Sequence, residues 1–139
     1  MFDHCLYFNT SALARLLERL WSDAFRSFDL TPPQGFLLRA VLDRPGLTQR
    51  ELAELMRIAR PTTTRALDGL EAKRLLERRV SPADAREQLV FPTRNAEAIQ
   101  GALNAASANV TKQLKQQLGK ATFERTVEGI RHVRGSLEE

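Results

Sequence analysis

Eleven of the twelve basic residues between positions 39 and 94 are arginines. A guanidinium offers five donors in a rigid planar fork, which matches phosphate oxygens and the guanine edge bidentately, so this choice of cation suits a polyanionic partner better than a generic solvated face does. The same span holds eight acids, and its excess of +4 equals the net charge of the whole 139-residue chain, because the flanks balance. Within it, Arg60, Thr62, Thr64 and Arg65 crowd one short stretch, and Arg78, Arg79, Asp84 and Arg86 follow in a second.

Cys5, beside His4 and two residues before Tyr7, is the only other candidate for chemistry. At a helix start its thiol would gain thiolate character, and a thiolate is the form that peroxide oxidises to sulfenic acid. A small apolar residue packed between two copies of the chain is the alternative, and it stays open. Asp3, His4, Cys5 and the distant His132 are too few and too loosely spaced for a metal site, so no metal and no cofactor is expected. The chain has no Gly-rich phosphate loop, nucleophile elbow or His-Glu-x-x-His, so no reaction is proposed and an enzyme is not expected.

A composition of 42% hydrophobic and 27% charged residues with 7 Gly and 6 Pro is that of one globular domain over residues 1–139. One cysteine excludes an internal disulfide framework, which fits a reducing compartment. With no signal-peptide pattern and no apolar run approaching a membrane span, the expected location is cytoplasmic, without membrane contact.

Helical periodicity positions the arginines. Leu13, Leu16, Leu17, Leu20, Trp21, Ala24 and Phe28 fall on one stripe of a long first helix, capped by Asp3 and ending near Asp29. Thr31 and Gln34 have capping-box spacing with Pro32 in the first turn, so a second helix starts there and stops at Pro45-Gly46. Thr48 and Glu51 repeat the box for a short third helix with Leu52, Leu55 and Met56 inward. The fourth helix, residues 61–73, turns Thr63, Ala66, Leu67 and Leu70 to a core and Pro61, Thr64, Arg65 and Asp68 outward, with Thr62 on the flank. A short helix, a tight turn and a helix with a hydroxyl-and-arginine outer face form a helix-turn-helix pattern.

After Leu75 the period changes from that of a helix to that of a strand. Residues 76–80 and 88–91 alternate around a polar segment containing Pro82, which reads as a two-stranded wing with a charged tip. The fold class is therefore mainly α: a winged helix-turn-helix core of three helices and a two-stranded β-wing over about residues 31–93. Thr93 then caps a helix to about Leu118, with Gly119 as its stop, and a last helix aligns Phe123, Val127, Ile130, Val133 and Leu137. One small core cannot cover the stripes of residues 1–30 and 94–139, so these long terminal helices are expected to pair with a second copy as a homodimer.

Four strings, in this order and spacing, resemble the MarR family of regulators: Leu30-Thr31-Pro32-Pro33-Gln34, Gly46-Leu47-Thr48-Gln49-Arg50-Glu51-Leu52-Ala53, Pro61-Thr62-Thr63-Thr64-Arg65-Ala66-Leu67-Asp68-Gly69-Leu70-Glu71, and Asp84-Ala85-Arg86. The resemblance implies a bacterial, dimeric transcriptional regulator, most often a repressor, on a pseudo-palindromic double-stranded operator. It makes residues 61–73 the recognition helix, with Thr62, Thr64 and Arg65 reading, and Arg86 the wing arginine paired with Asp84. Arg60, Arg78 and Arg79 are expected as phosphate neighbours. It also implies a small aromatic effector between the dimer helices and the DNA-binding lobe, near Trp21, Phe25, Phe36 and the start of the helix after Thr93, with plain core as the alternative for these apolar residues; Cys5 looks similar to the peroxide-sensing cysteine of some members. A winged-helix adaptor that binds protein rather than DNA is the contrasting reading.

Two positions depart from the family's pattern. Arg74 stands where members commonly have glycine, so the left-handed turn before the wing is either strained or replaced. Arg60 falls at the expected N-cap of the recognition helix, where it caps poorly, and Pro61 behind it compensates in part.

Overall fold

The computed structural model of the chain describes residues 1–138. Helix α1 spans Leu6–Phe25 and passes through a 3-10 turn, Arg26–Phe28, to Asp29. Cys5, not Asp3, is its N-cap residue, and no side chain caps it. Instead the Asn9 amide folds back and donates to the carbonyls of Asp3 at 2.9 Å and Cys5 at 2.8 Å, which orders the chain entering the helix.

Helices α2 (Pro32–Asp43) and α3 (Gln49–Met56) begin where their capping boxes place them. The Gln34 N–H donates to Thr31 Oγ1 at 3.3 Å and the Thr31 N–H to Gln34 Oε1 at 3.1 Å; Thr48 and Glu51 exchange the equivalent pair at 3.0 and 2.8 Å. Each box satisfies donors that a helix start would otherwise leave orphaned.

Helix α4 runs Arg60–Ala72, one residue earlier than expected at each end. Ala59 is the N-cap residue and offers no side-chain oxygen, so Arg60 is the first helical residue. Thr63 Oγ1 donates to the Ala59 carbonyl at 3.2 Å, which ties the buried Thr63 to the first turn. All four residues expected to face inward, Thr63, Ala66, Leu67 and Leu70, are buried. Leu55 of α3 is not: it is largely exposed, and only Leu52 and Ala53 of that helix are buried.

The wing is β2 (Leu76–Val80) antiparallel to β3 (Gln88–Pro92), paired from Leu76 with Pro92 to Val80 with Gln88. A two-residue strand β1, Leu47–Thr48, adds to the other edge of β3, with Leu47 opposite Val90, giving the order β1-β3-β2. The sequence gives no sign of β1, because two residues carry no period. Its effect is to seat α3 directly on the wing, since Thr48 is both the last residue of β1 and the N-cap of α3.

Arg74 keeps the left-handed backbone that glycine would adopt, with φ of 59°. The Arg74 N–H donates to the Glu71 carbonyl at 2.9 Å and the Leu75 N–H to the Leu70 carbonyl at 3.0 Å, while the Arg74 carbonyl accepts from Thr93 Oγ1 at 2.7 Å. These bonds hold a conformation that costs a non-glycine residue about 1–2 kcal/mol. Arg74→Gly is therefore expected to raise stability by about 0.5–1 kcal/mol after the extra chain entropy of glycine, read as a higher urea midpoint. A lower midpoint would mean that the arginine side chain itself stabilises the turn.

Helix α5 (Arg94–Leu118), capped by Thr93, carries Ala96 and Leu103 into the same core as Phe25, Leu37, Leu38, Val41, Leu52, Leu67, Leu70, Leu76 and Val90. Gly119, at φ of 84°, ends α5 and opens α6 (Lys120–Leu137) with no intervening loop. No residue of α6 is buried. No described helix is long and apolar enough to cross a membrane.

Candidate nucleic-acid interface

Helix α4 and the wing enclose a cleft of about 560 Å³. Arg60, Thr63 and Thr64 of α4, Arg50 of α3 and Arg86 of the wing all line it. With the carboxylates of Glu87 and Asp84 beside Arg50 and Arg86, the three guanidiniums still leave the rim net positive, and with the exposed Thr64 they fit an anionic backbone passing between a helix and a ribbon.

The cleft owes its shape to the wing's connections. Arg50 Nε donates to Glu87 Oε1 at 3.1 Å, joining α3 to the wing tip. Sequence reasoning missed Arg50 as a site residue, since its partner lies 37 residues away. At the tip, Arg86 donates to Asp84 three times: its backbone N–H to Oδ1 at 3.0 Å, Nε to Oδ1 at 3.2 Å and Nη2 to Oδ2 at 3.3 Å. The side-chain bonds from Arg86, then its backbone N–H, hold the Asp84 carboxyl below the usual carboxylate range. The Arg86 side chain is still 91% exposed, so the guanidinium is aimed without being consumed.

The outer face of α4 carries Thr64 and Arg65, both exposed, with Thr62 half-buried beside them. Among the described residues, Arg65 makes no ion pair; Asp68, one turn on, binds Arg78. Arg60 likewise stands exposed at the helix start. Arg79 pairs with Glu77 and lies over the Phe91 ring, 4.3 Å from its centroid, on the outer side of the ribbon.

Arg78 differs from the rest. Its side chain is 14% exposed, and it donates to Asp68 Oδ1 at 2.7 Å, to both carboxylate oxygens of Glu71 at 3.1 and 3.2 Å, and to Gln49 Oε1 at 3.1 Å. The Glu71 carboxyl is held below its ordinary value, first by the hydrogen bond from Arg78.

The three aromatic residues read as an effector site do meet. Phe36 stands 6.1 Å from Trp21 and 5.9 Å from Phe25, centroid to centroid. Phe25 is fully buried over Gly35, whereas Trp21 is half-buried and Phe36 lies at the surface. Trp21 Nε1 donates to Ser107 Oγ at 3.1 Å, and Arg39, 5.2 Å above the Phe36 ring, donates to the same oxygen at 2.9 Å and to Asn104 Oδ1 at 2.8 Å. Cys5 is exposed. Among the described residues no group of three or more His, Cys, Asp or Glu could hold a metal ion.

Two helices joined by a tight turn, with a ribbon laid beside the second of them, make this a winged helix-turn-helix protein. More narrowly, the chain belongs to the MarR family, whose sequence profile matches residues 28–87. Transcriptional regulator HosA of Escherichia coli O157:H7 is 30% identical over 103 residues, 74% of this chain and 76% of that protein. The HTH-type transcriptional regulator YybA of Bacillus subtilis is 30% identical over 81 residues, and there the chain spans only about half, 54%, of its relative's length. In fold, the chain is similar to the PcaV transcriptional regulator from Streptomyces coelicolor in complex with its natural ligand, with a TM-score of 0.88 at 23% identity over 99% of this chain and 96% of that one. It is similar also to the transcriptional repressor CouR bound to a 23-mer DNA duplex, with a TM-score of 0.87 at 22% identity over 96% and 94%.

Proposed function

We propose that this chain is a dimeric, sequence-specific, double-stranded-DNA-binding regulator that acts as a repressor. The observation that carries the reading is the cleft between α4 and the wing, where Arg60, Thr64 and Arg50 face Arg86. Helix α4 enters the major groove with Thr62, Thr64 and Arg65, and Arg86, aimed by Asp84, reaches the flanking minor groove, where negative potential is focused. Arg60 and Arg79 contact phosphates at the edges of this footprint. Structures of CouR and of Staphylococcus aureus MepR with DNA support it by likeness of fold.

A second copy covers the apolar stripes of the terminal helices. On α1, Leu13, Leu16 and Leu20 are exposed, and on α6 so are Val127, Ile130 and Val133. A soluble monomer rarely leaves such apolar stripes wet, and an isologous pair buries them on both copies. A small aromatic effector, bound between this dimer region and the reading head against Trp21 and Phe36, changes the spacing of the two heads and releases the DNA. The structure of PcaV in complex with its natural ligand supports, by likeness of fold, the binding of a ligand.

The test is fluorescence anisotropy of the purified protein on the duplex upstream of its own coding sequence and on a shuffled duplex, across a salt series. Preference for the first by about a thousandfold or more identifies a specific regulator. Absence of binding at low salt would instead favour a protein-binding adaptor. Arg86→Ala is expected to weaken operator binding by about 1–3 kcal/mol while leaving the melting temperature unchanged. Unchanged affinity at physiological salt would remove the wing from the mechanism.

A further inference from the structure

Among the described residues, Arg78 alone of the reading head's arginines has spent all three guanidinium nitrogens within the protein. Its partners lie on both helices of the helix-turn-helix: Asp68 and Glu71 on α4, and Gln49 at the first position of α3. Asp68 follows Thr64 by one turn and Glu71 follows Asp68 by three residues, so both acids continue the outer stripe of α4 that begins with the reading residues. Their side chains remain 56% and 46% exposed, open to whatever approaches that face.

A carboxylate on a face that meets phosphates opposes binding, because like charges brought together repel, and more strongly where water is excluded. One guanidinium bridging the two acids offsets part of that charge, and it fixes the angle between wing and helix through bonds that a lysine could not make together. We propose that Arg78 is a charge-compensating clasp, a positioning residue that locks β2 to α3 and α4 and screens Asp68 and Glu71 from the DNA, rather than a phosphate ligand. This rests on the DNA-binding reading above and changes what one of its arginines does.

The two roles separate on removal of the acids. Arg78→Gln is expected to lose about tenfold in affinity for the shuffled duplex and for the upstream duplex at low salt. In the background Asp68→Asn/Glu71→Gln, where there are no acids left to screen, adding Arg78→Gln should cost nothing, so the triple and double variants bind alike. A triple variant still about tenfold weaker than the double would overturn the clasp, since a lost phosphate contact costs affinity whether or not the acids are present.

A second readout needs no DNA. The Glu71 carboxyl titrates below its ordinary range because Arg78 is bonded to it, so its stabilising contribution is complete above that range and is lost as pH falls through the lowered value. Carbon-13 NMR of the Glu71 carboxyl should show its titration moving back up in Arg78→Gln, and partly so in Arg78→Lys, which keeps the charge if the glutamine variant folds poorly. No movement in either variant would sink the proposal. If the wild-type protein binds neither duplex, the regulator reading fails and this titration still judges the clasp.

Discussion

Val127→Glu/Ile130→Glu is expected to yield a folded monomer that has lost operator affinity by about a hundredfold to ten-thousandfold. Both positions are exposed on α6, at 42% and 46%, so a glutamate carboxylate can reach water within one copy, and glutamate is at least as good a helix former. In a dimer the same pair would bury charge in an apolar seam without a partner, which association cannot tolerate. Two linked reading heads bind a palindrome with the second contact made intramolecular, and separating them forfeits that effective concentration. Sedimentation velocity reads the mass and anisotropy the affinity. A variant that remains dimeric would place the interface elsewhere; a monomer with undiminished operator affinity would show that one head suffices.

Phe25→Ala is expected to cost about 3–5 kcal/mol of stability, the range for truncating a fully buried aromatic ring. The ring is 0% exposed, and it fills the space over Gly35 so closely that a Cβ there would stand 2.3 Å from it. That geometry leaves no ligand volume at Phe25 in this conformation, so of the three aromatics only Trp21 and Phe36 present a surface to an effector. The measurement is the urea midpoint at constant m-value. A loss under about 1 kcal/mol would make Phe25 a yielding wall of a binding pocket instead of core.

Much of the reading head was legible before any coordinates. The two capping boxes and the inward stripe of α4 depend on offsets of three or four residues, which backbone geometry fixes wherever the helix occurs, while the pairing of Arg86 with Asp84 rested on the family resemblance. The start of α4 was misplaced by one residue because Ala59, which carries no capping group, occupies a position that sequence rules assign to a polar residue. Leu55 was misread because α3 is eight residues long, and over two turns the inner and outer stripes of so short a helix overlap in the sequence pattern.

Local pattern in the chain is enough to fix the winged helix-turn-helix fold, the concentration of basic charge in that lobe, and the apolar stripes on the terminal helices that one lobe cannot cover. These are properties of composition and period, and each is written within a window of a few helical turns. Which arginines are available depends instead on long-range packing. Arg78, Arg50 and Arg86 have the same chemistry, yet Arg78 is taken by acids seven and ten residues before it, Arg50 by an acid 37 residues after it, and Arg86 is merely aimed by its neighbour. A guanidinium bonds whichever anion the fold brings within about 3 Å, and for these residues that distance is set by the packing of the wing against α3 and α4 rather than by position along the chain.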